Sequence, residues 1–344
     1  MLFGCRRVRP IWWRCKRKPW HRGLPMCAGR RCRNKHAVSH YLNCNEHFSL
    51  PMTSSSMPLL NNTIEHRFDN HGISLAAVEW GDPDGLPVIA LHGWLDNAAS
   101  FAPLAERLEG VRLIAIDLAG HGLSDHRSLD NTYNIWQDVA DVYSVVEQLG
   151  LSTFALLGHS RGAMIATLTA GTYPERVSHL GLIDSFVPQA IDEAEMPAQL
   201  ALSIEDKHLR LRREPRIYAT RDEALASRTS RGEARLSLVS AQLIAERGLR
   251  HESEGFRWRA DEKLKVASEV KLTPAMVRAF VERITCPSLL LLSDPQRTER
   301  FYGMDQFAQQ LTIEIIEGSH HFHMEETVVP TARGLNQFFG QSCE

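Results

Sequence analysis

The chain has 344 residues, of which 43% are hydrophobic and 23% charged, enough for a large buried core in one or two domains. Its net charge of -2 conceals an asymmetry, since twelve of the 39 basic residues and only one acid, Glu46, fall in the first fifty positions. The remainder carries 27 bases against 40 acids, a balance that argues against nucleic-acid binding, and no apolar run approaches the roughly 20 residues of a membrane span.

From Met1 to about Ser56 there is no sustained helical or strand period, only Arg, Trp12, Trp13, Trp20 and scattered cysteines. A secretory signal would need an apolar stretch after its basic start, and none is present. Cys27, Cys32, His36 and His40 are metal-ligand types, but three residues between the Cys and His pairs are far too few for a zinc finger. The expectation is that residues 1–57 are a basic leader outside the functional domain, which would then begin at Met52 or Met57, with a disordered basic tail as the alternative. Five of the seven cysteines lie in this leader, and Cys286 and Cys343 are far apart in the body. That usage fits a reducing compartment and a cytoplasmic protein.

Beyond the leader, Ile64–Phe68 and Ile73–Trp80 flank Asn70-His71-Gly72 and predict a hairpin. Leu86–Leu91 is a short apolar strand ending at His92-Gly93, followed by a helical pattern in Phe101, Leu104 and Leu108. Val111–Ile116 is the next strand, stopped by Asp117 and the turn Gly120-His121-Gly122. The spacing Ile135, Val139, Val142, Val146, Leu149 predicts an amphipathic helix. Phe154–Leu157 is a strand leading into Gly158-His159-Ser160-Arg161-Gly162, with a helix running to about Thr172, and Val177–Ile183 is a strand stopped by Asp184.

Alternating strands and helices with fully apolar strands predict an α/β fold, a mostly parallel central sheet with helices on both faces. The alternation fails from Pro188 to Leu272, a charged, strand-poor stretch that predicts an inserted helical cap at 188–272. Residues 58–187 and 273–344 are the two parts of the core, the second with a helix from Thr273-Pro274, strands at Ser288–Leu292 and Thr312–Ile316, and a closing helix at Val328–Phe339.

A Gly-x-Ser-x-Gly string is weak alone; here it leaves a buried strand and opens a helix, the strained turn that lifts a serine hydroxyl over a sheet edge. Side chains at Gly158 or Gly162 would collide with the neighbouring helix and strand. A serine hydroxyl needs a base, and Ser319-His320-His321-Phe322-His323 follows the last strand, where a loop can reach the nucleophile. His320 is the candidate base, with His321 second. The oxyanion formed during attack requires backbone donors, and the amides of Arg161 and Trp94 are the candidates. His92 shapes the turn before Trp94.

These strings, His92-Gly93-Trp94-Leu95-Asp96-Asn97, Asp117-Leu118-Ala119-Gly120-His121-Gly122, the Gly-His-Ser elbow and Gly318-Ser319-His320-His321-Phe322-His323-Met324, resemble the α/β-hydrolase superfamily, and within it the serine hydrolase-like proteins. The resemblance implies hydrolysis of an ester-like bond without cofactor or metal, on a small-molecule substrate. Dehalogenases and epoxide hydrolases of this fold carry Asp where the chain has Ser160, so their chemistry is not expected. The triad acid stays open: many relatives place it after the strand following the cap, where an ungapped count falls on Gln296 and only Asp294 is acidic, and others place it one strand earlier, at Asp184. Asp184 is preferred and Asp294 is the alternative. Expected function is cleavage of a small ester, thioester or lactone through an acyl-serine. Carbon-carbon bond hydrolysis by the same triad is one alternative, and a non-catalytic binding protein on the scaffold is another. Arg257-Trp258-Arg259 with Asp261 is either a pocket wall or, preferred, a salt-bridged structural segment.

Overall fold

The computed structural model describes residues 63–230, 235–296 and 311–340. The predicted leader, its start sites Met52 and Met57, and Cys27, Cys32, His36 and His40 lie outside the described residues. Eight strands form one sheet: β1 (Ile64–Asn70), β2 (Ile73–Gly81), β3 (Leu86–Leu91), β4 (Val111–Ile116), β5 (Phe154–His159), β6 (Val177–Ile183), and two later strands at Ser288–Leu292 and Leu311–Ile315. A separate two-stranded hairpin, β7 (Leu249–Glu252) and β8 (Gly255–Trp258), comes between them in the chain, so the later strands are β9 and β10.

The sheet order is β1-β2-β4-β3-β5-β6-β9-β10, antiparallel at β1/β2 and β2/β4 and parallel from β4 onward. The first hairpin closes on two residues, His71 (φ 52°) and Gly72 (φ 95°), the positive angles that a tight turn matched to strand twist requires. In the parallel strands alternate residues serve opposite faces. Ile89, Leu91, Leu156, Leu182 and Leu290 face one layer, built from α2 (Ile135–Gln148), α3 (Arg161–Thr172) and α7 (Pro274–Val281). Val88, Ala90, Leu157, Ile183 and Leu291 face the other, covered by Ala98–Ala105 and the closing helix α8 (Val328–Phe339). Both faces are dry, which explains strands that are apolar without alternation.

The helical pattern at Phe101, Leu104 and Leu108 gives only a 3-10 turn at Ala98–Phe101 and one helical turn, α1 (Ala102–Ala105). The chain must enter β4 through Gly110 (φ 66°), so little length remains for a helix. Among the described residues, the chain between β6 and β9 adds no strand to the large sheet. It carries α4 (Met196–Arg210), α5 (Arg221–Thr229), α6 (Leu238–Gly248) and the β7/β8 hairpin. That hairpin is a local addition that the reading of the insertion as charged, helical and strand-poor does not include. Its strands are four residues each and carry Arg250, His251, Glu252 and Arg257, so they show neither apolar alternation nor length.

Polar links fasten this insertion to the sheet. Arg247 of α6, 4% exposed, donates to Asp117 at 2.9 and 3.2 Å and also pairs with Glu65. Asn97 donates to the Ile244 carbonyl at 2.8 Å, and the Tyr133 hydroxyl donates to Asp261 at 2.7 Å. Asp117 also accepts the Ala98 and Leu123 amides, so its buried charge is fully compensated.

Candidate active site

Ser160 stands between β5 and α3 with φ 51° and ψ −115°, a conformation that costs a non-glycine residue energy and marks the nucleophile turn. The turn is possible because of its glycines. A methyl group on Gly158 would lie 2.5 Å from the Ala163 backbone, and one on Gly162 would overlap the Leu91 carbonyl of β3.

His320 reaches Ser160 from the loop after β10. Its Nε2 lies 2.9 Å from Ser160 Oγ and its Nδ1 lies 2.5 Å from Asp184 Oδ2. Asp184 follows β6, is buried, and has φ 54°, which turns its side chain toward the histidine instead of along the strand. Its other oxygen accepts the Ser293 amide at 2.9 Å and the Ser293 hydroxyl at 2.8 Å. Asp294 is exposed and accepts the Gln296 amide at 2.9 Å, the turn role of an Asp before proline. The structure thus brings Ser160, His320 and Asp184 together and leaves Asp294 outside the chain of hydrogen bonds.

Among the described residues, neither the Arg161 nor the Trp94 amide has a hydrogen-bond acceptor in the protein. Arg161 is the first residue of α3, where amides point outward and the helix dipole favours negative charge. Trp94 sits in a loop held by two neutral imidazoles. His92 bridges the Gly93 carbonyl (2.8 Å) and the Leu118 amide (3.0 Å), and His121 bridges the Ala119 carbonyl (3.1 Å) and the Leu95 amide (3.2 Å). Burial lowers the pKa of both, below the usual histidine range for His92 and well below it for His121.

A second histidine group lies beneath the triad, and single-residue motifs gave no sign of it. His159 Nε2 donates to the His320 carbonyl at 2.9 Å, so the residue before the nucleophile fixes the backbone of the base. His321, the second candidate base, is turned away from Ser160 and lies 3.3 Å from Asp96 Oδ2. Arg228 of α5 donates to Asp96 Oδ1 at 2.7 Å. Burial works to raise the Asp96 carboxyl, but His321 and Arg228 hold it well below the ordinary carboxylate range. His323 packs against His159, with ring centroids 4.1 Å apart, planes tilted by 36° and both of its own ring nitrogens unpartnered, and burial together with the neighbouring His321 pushes its pKa down to about 3. Asp96, His159 and His321 are metal-ligand types with ligand atoms within 4.8 Å of one another. The carboxylate is already shared between Arg228 and His321, and a cation there would face the guanidinium, so the trio fits an ion-paired network better than a metal centre.

An open cleft of about 800 Å³ borders His320, Ser293 and Asp294, with Leu236 and Ser237 of the insertion on its other wall. His320 is the triad candidate that borders this cleft.

The family described as alpha/beta hydrolase fold matches residues 87–231, from β3 through the elbow and into the insertion. A serine hydrolase-like protein of Danio rerio is 30% identical over 259 residues, covering 71% of this chain and 79% of that relative. The chain belongs to the α/β-hydrolase superfamily. Within it the chain is similar to the serine hydrolase-like proteins, including one of Dictyostelium discoideum that is 30% identical over 276 residues, 74% of this chain and 76% of the relative. Among solved structures, the hypothetical protein PA1622 from Pseudomonas aeruginosa PAO1 is 37% identical with a TM-score of 0.74, covering 80% of this chain and 98% of that one. This α/β-hydrolase has, among its described residues, no helix long and apolar enough to cross a membrane.

Proposed function

We propose that this α/β-hydrolase is a serine hydrolase acting on a small ester, thioester or lactone through an acyl-Ser160 intermediate. The observation that carries the reading is the unbroken chain Ser160 Oγ, His320 Nε2, His320 Nδ1, Asp184 Oδ2 at 2.9 and 2.5 Å, on a strained serine. Ser160 attacks the substrate carbonyl as His320 takes its proton, and Asp184 stabilises the imidazolium and fixes its tautomer. The Trp94 and Arg161 amides receive the oxyanion, whose stabilisation by such donors is worth roughly 10² to 10³ in turnover each. His320 then protonates the leaving group and activates the water that releases the acid. No step requires a cofactor.

The competing reading is a binding protein that has kept the scaffold. A preserved nucleophile, base and acid in hydrogen-bonding register favours catalysis over it. The test combines a fluorophosphonate probe with a panel of chromogenic esters and lactones of graded acyl length. Labelling and turnover should both vanish in Ser160→Ala; labelling that persists in that variant rejects the assignment.

A further inference from the structure

The Arg257-Trp258-Arg259 segment carries the expected ion pair, Arg257 with Glu252, and also lines a cavity. A cavity of about 300 Å³ lies between β8, the C-terminal end of α4 and the loop at His126 to Leu129, and seven cationic side chains line it against only Asp261 and Glu262. This is the reverse of the body's acidic balance.

Three of the cations are committed. Arg127 pairs with Asp141 at 2.5 Å, Arg210 with Asp206 at 3.0 Å, and Lys263 donates to the Arg127 and Ser128 carbonyls. Asp261 is in turn engaged by Tyr133. Arg250 and Arg257 share a single carboxylate, Glu252, at 2.7 and 3.2 Å, and Arg257 Nε is buried without a partner. Among the described residues, Arg213 and Arg259 have no carboxylate within ion-pair distance. Four guanidinium groups therefore answer to one carboxylate, an excess of three positive charges. Burial and the nearby charges of Arg250 and Arg67 lower the Arg259 pKa, a sign of unrelieved repulsion.

A second cavity, of about 340 Å³, shares Pro215, Arg257, Trp258 and Ala260 with the first and adds Leu95 and Tyr218. Leu95 (φ 64°) follows Trp94, the proposed oxyanion donor, so the second cavity runs from the loop that carries this donor to the arginine cavity, with Leu95, Tyr218 and Trp258 as its apolar walls and Arg216, Arg228, Glu262 and Lys265 beside them.

We propose that Arg213, Arg250, Arg257 and Arg259 bind a phosphate group at the far end of the substrate, with an apolar linker lying along Leu95, Tyr218 and Trp258. Phosphate fits better than carboxylate, because it carries about −1.5 to −2 charge near pH 7 and three acceptor oxygens for guanidinium forks. The substrate is then a phosphate-bearing ester or thioester, an assignment that rests on Ser160 being the nucleophile.

Binding can be measured separately from turnover. Full-length Ser160→Ala protein is titrated calorimetrically with hexyl phosphate, hexanoate and hexanol. Hexyl phosphate should bind at least about tenfold more tightly than hexanol and more tightly than hexanoate, with affinity falling as salt rises. The preference should disappear in Arg257→Gln/Arg259→Gln and persist in part in Arg259→Lys, with unchanged circular dichroism showing that the variants are folded. Equal binding of the three probes, tighter binding of hexanoate, or a phosphate preference that survives the double substitution overturns the proposal. Phosphate selectivity without any ester hydrolysis would instead remove the hydrolase reading and leave the anion site standing.

Discussion

Asp184 and Asp294 each follow the end of a buried parallel strand, and on spacing alone both are eligible to serve the histidine. The structure treats them in opposite ways. Asp184 is 2% exposed, turned by a positive φ, and held by Ser293 on one oxygen and His320 on the other, whereas Asp294 is exposed and occupied with a turn amide. On the proposed assignment neighbouring strands divide one job: β9 leads into the serine that orients a carboxylate at the end of β6. What distinguishes the two carboxylates is dehydration and partnership, not location at a strand end.

The sharpest way to break this comparison is to neutralise Asp184. Asp184→Asn should lower turnover by on the order of 10⁴ at neutral pH through loss of imidazolium stabilisation, measured as kcat on the best ester of the panel. An effect below about tenfold would return the acid to β9.

The comparison extends to the histidines, where His320 has partners on both nitrogens and buried His323 has none. His323 takes a proton near pH 6.5 when unfolded but only at about 3 when folded, because burial opposes its charge. The native state therefore keeps its full advantage above pH 6.5 and loses about 1.4 kcal/mol per pH unit from this group as pH falls toward 3. His159, shifted in the same direction, adds to the loss. Urea unfolding at stepped pH should show this decline, and His323→Leu should make it shallower by one group; an unchanged slope would show that His323 is charged in the native protein.

A smaller effect is expected from Ser293→Ala, which removes one donor from Asp184 but leaves the Ser293 amide in place. A hydrogen bond to a charged group contributes about 1.5–3 kcal/mol, so kcat should fall roughly 10-fold to 100-fold while KM changes little. Smallest of all is Asp294→Asn, which should leave kcat within about twofold, because the amide oxygen still accepts from Gln296.

Much of this was legible in the sequence, for physical reasons that differ by element. Strands buried on both faces announced themselves as apolar runs, so β3, β4, β6 and β9 match their predicted limits. Ser160 was legible because its turn needs glycines at fixed offsets, and His320 because it follows the last strand. Asp184 could be proposed but not separated from Asp294, since Ser293 reaches it across 109 positions. The Asp96, His159 and His321 group was invisible for the same reason: the Asp96–His321 contact spans 225 residues, and no local pattern encodes it. The arginine cavity was half legible, as a basic cluster around Trp258 whose shortage of carboxylates only the packing reveals.

The site residues also arrive in a fixed order during synthesis. Ser160 and Asp184 leave the ribosome early, but the imidazole that would activate the serine comes at position 320, after the insertion and β9 and just before α8. On the proposed mechanism, a nascent chain carries an unactivated hydroxyl for more than a hundred residues of elongation, until the loop after β10 sets His320 beside Ser160. Any shortened product that ends before β10 lacks both His320 and α8, the helix that covers one face of the sheet, so the last stretch of chain supplies the proposed base and the closing layer of the core together.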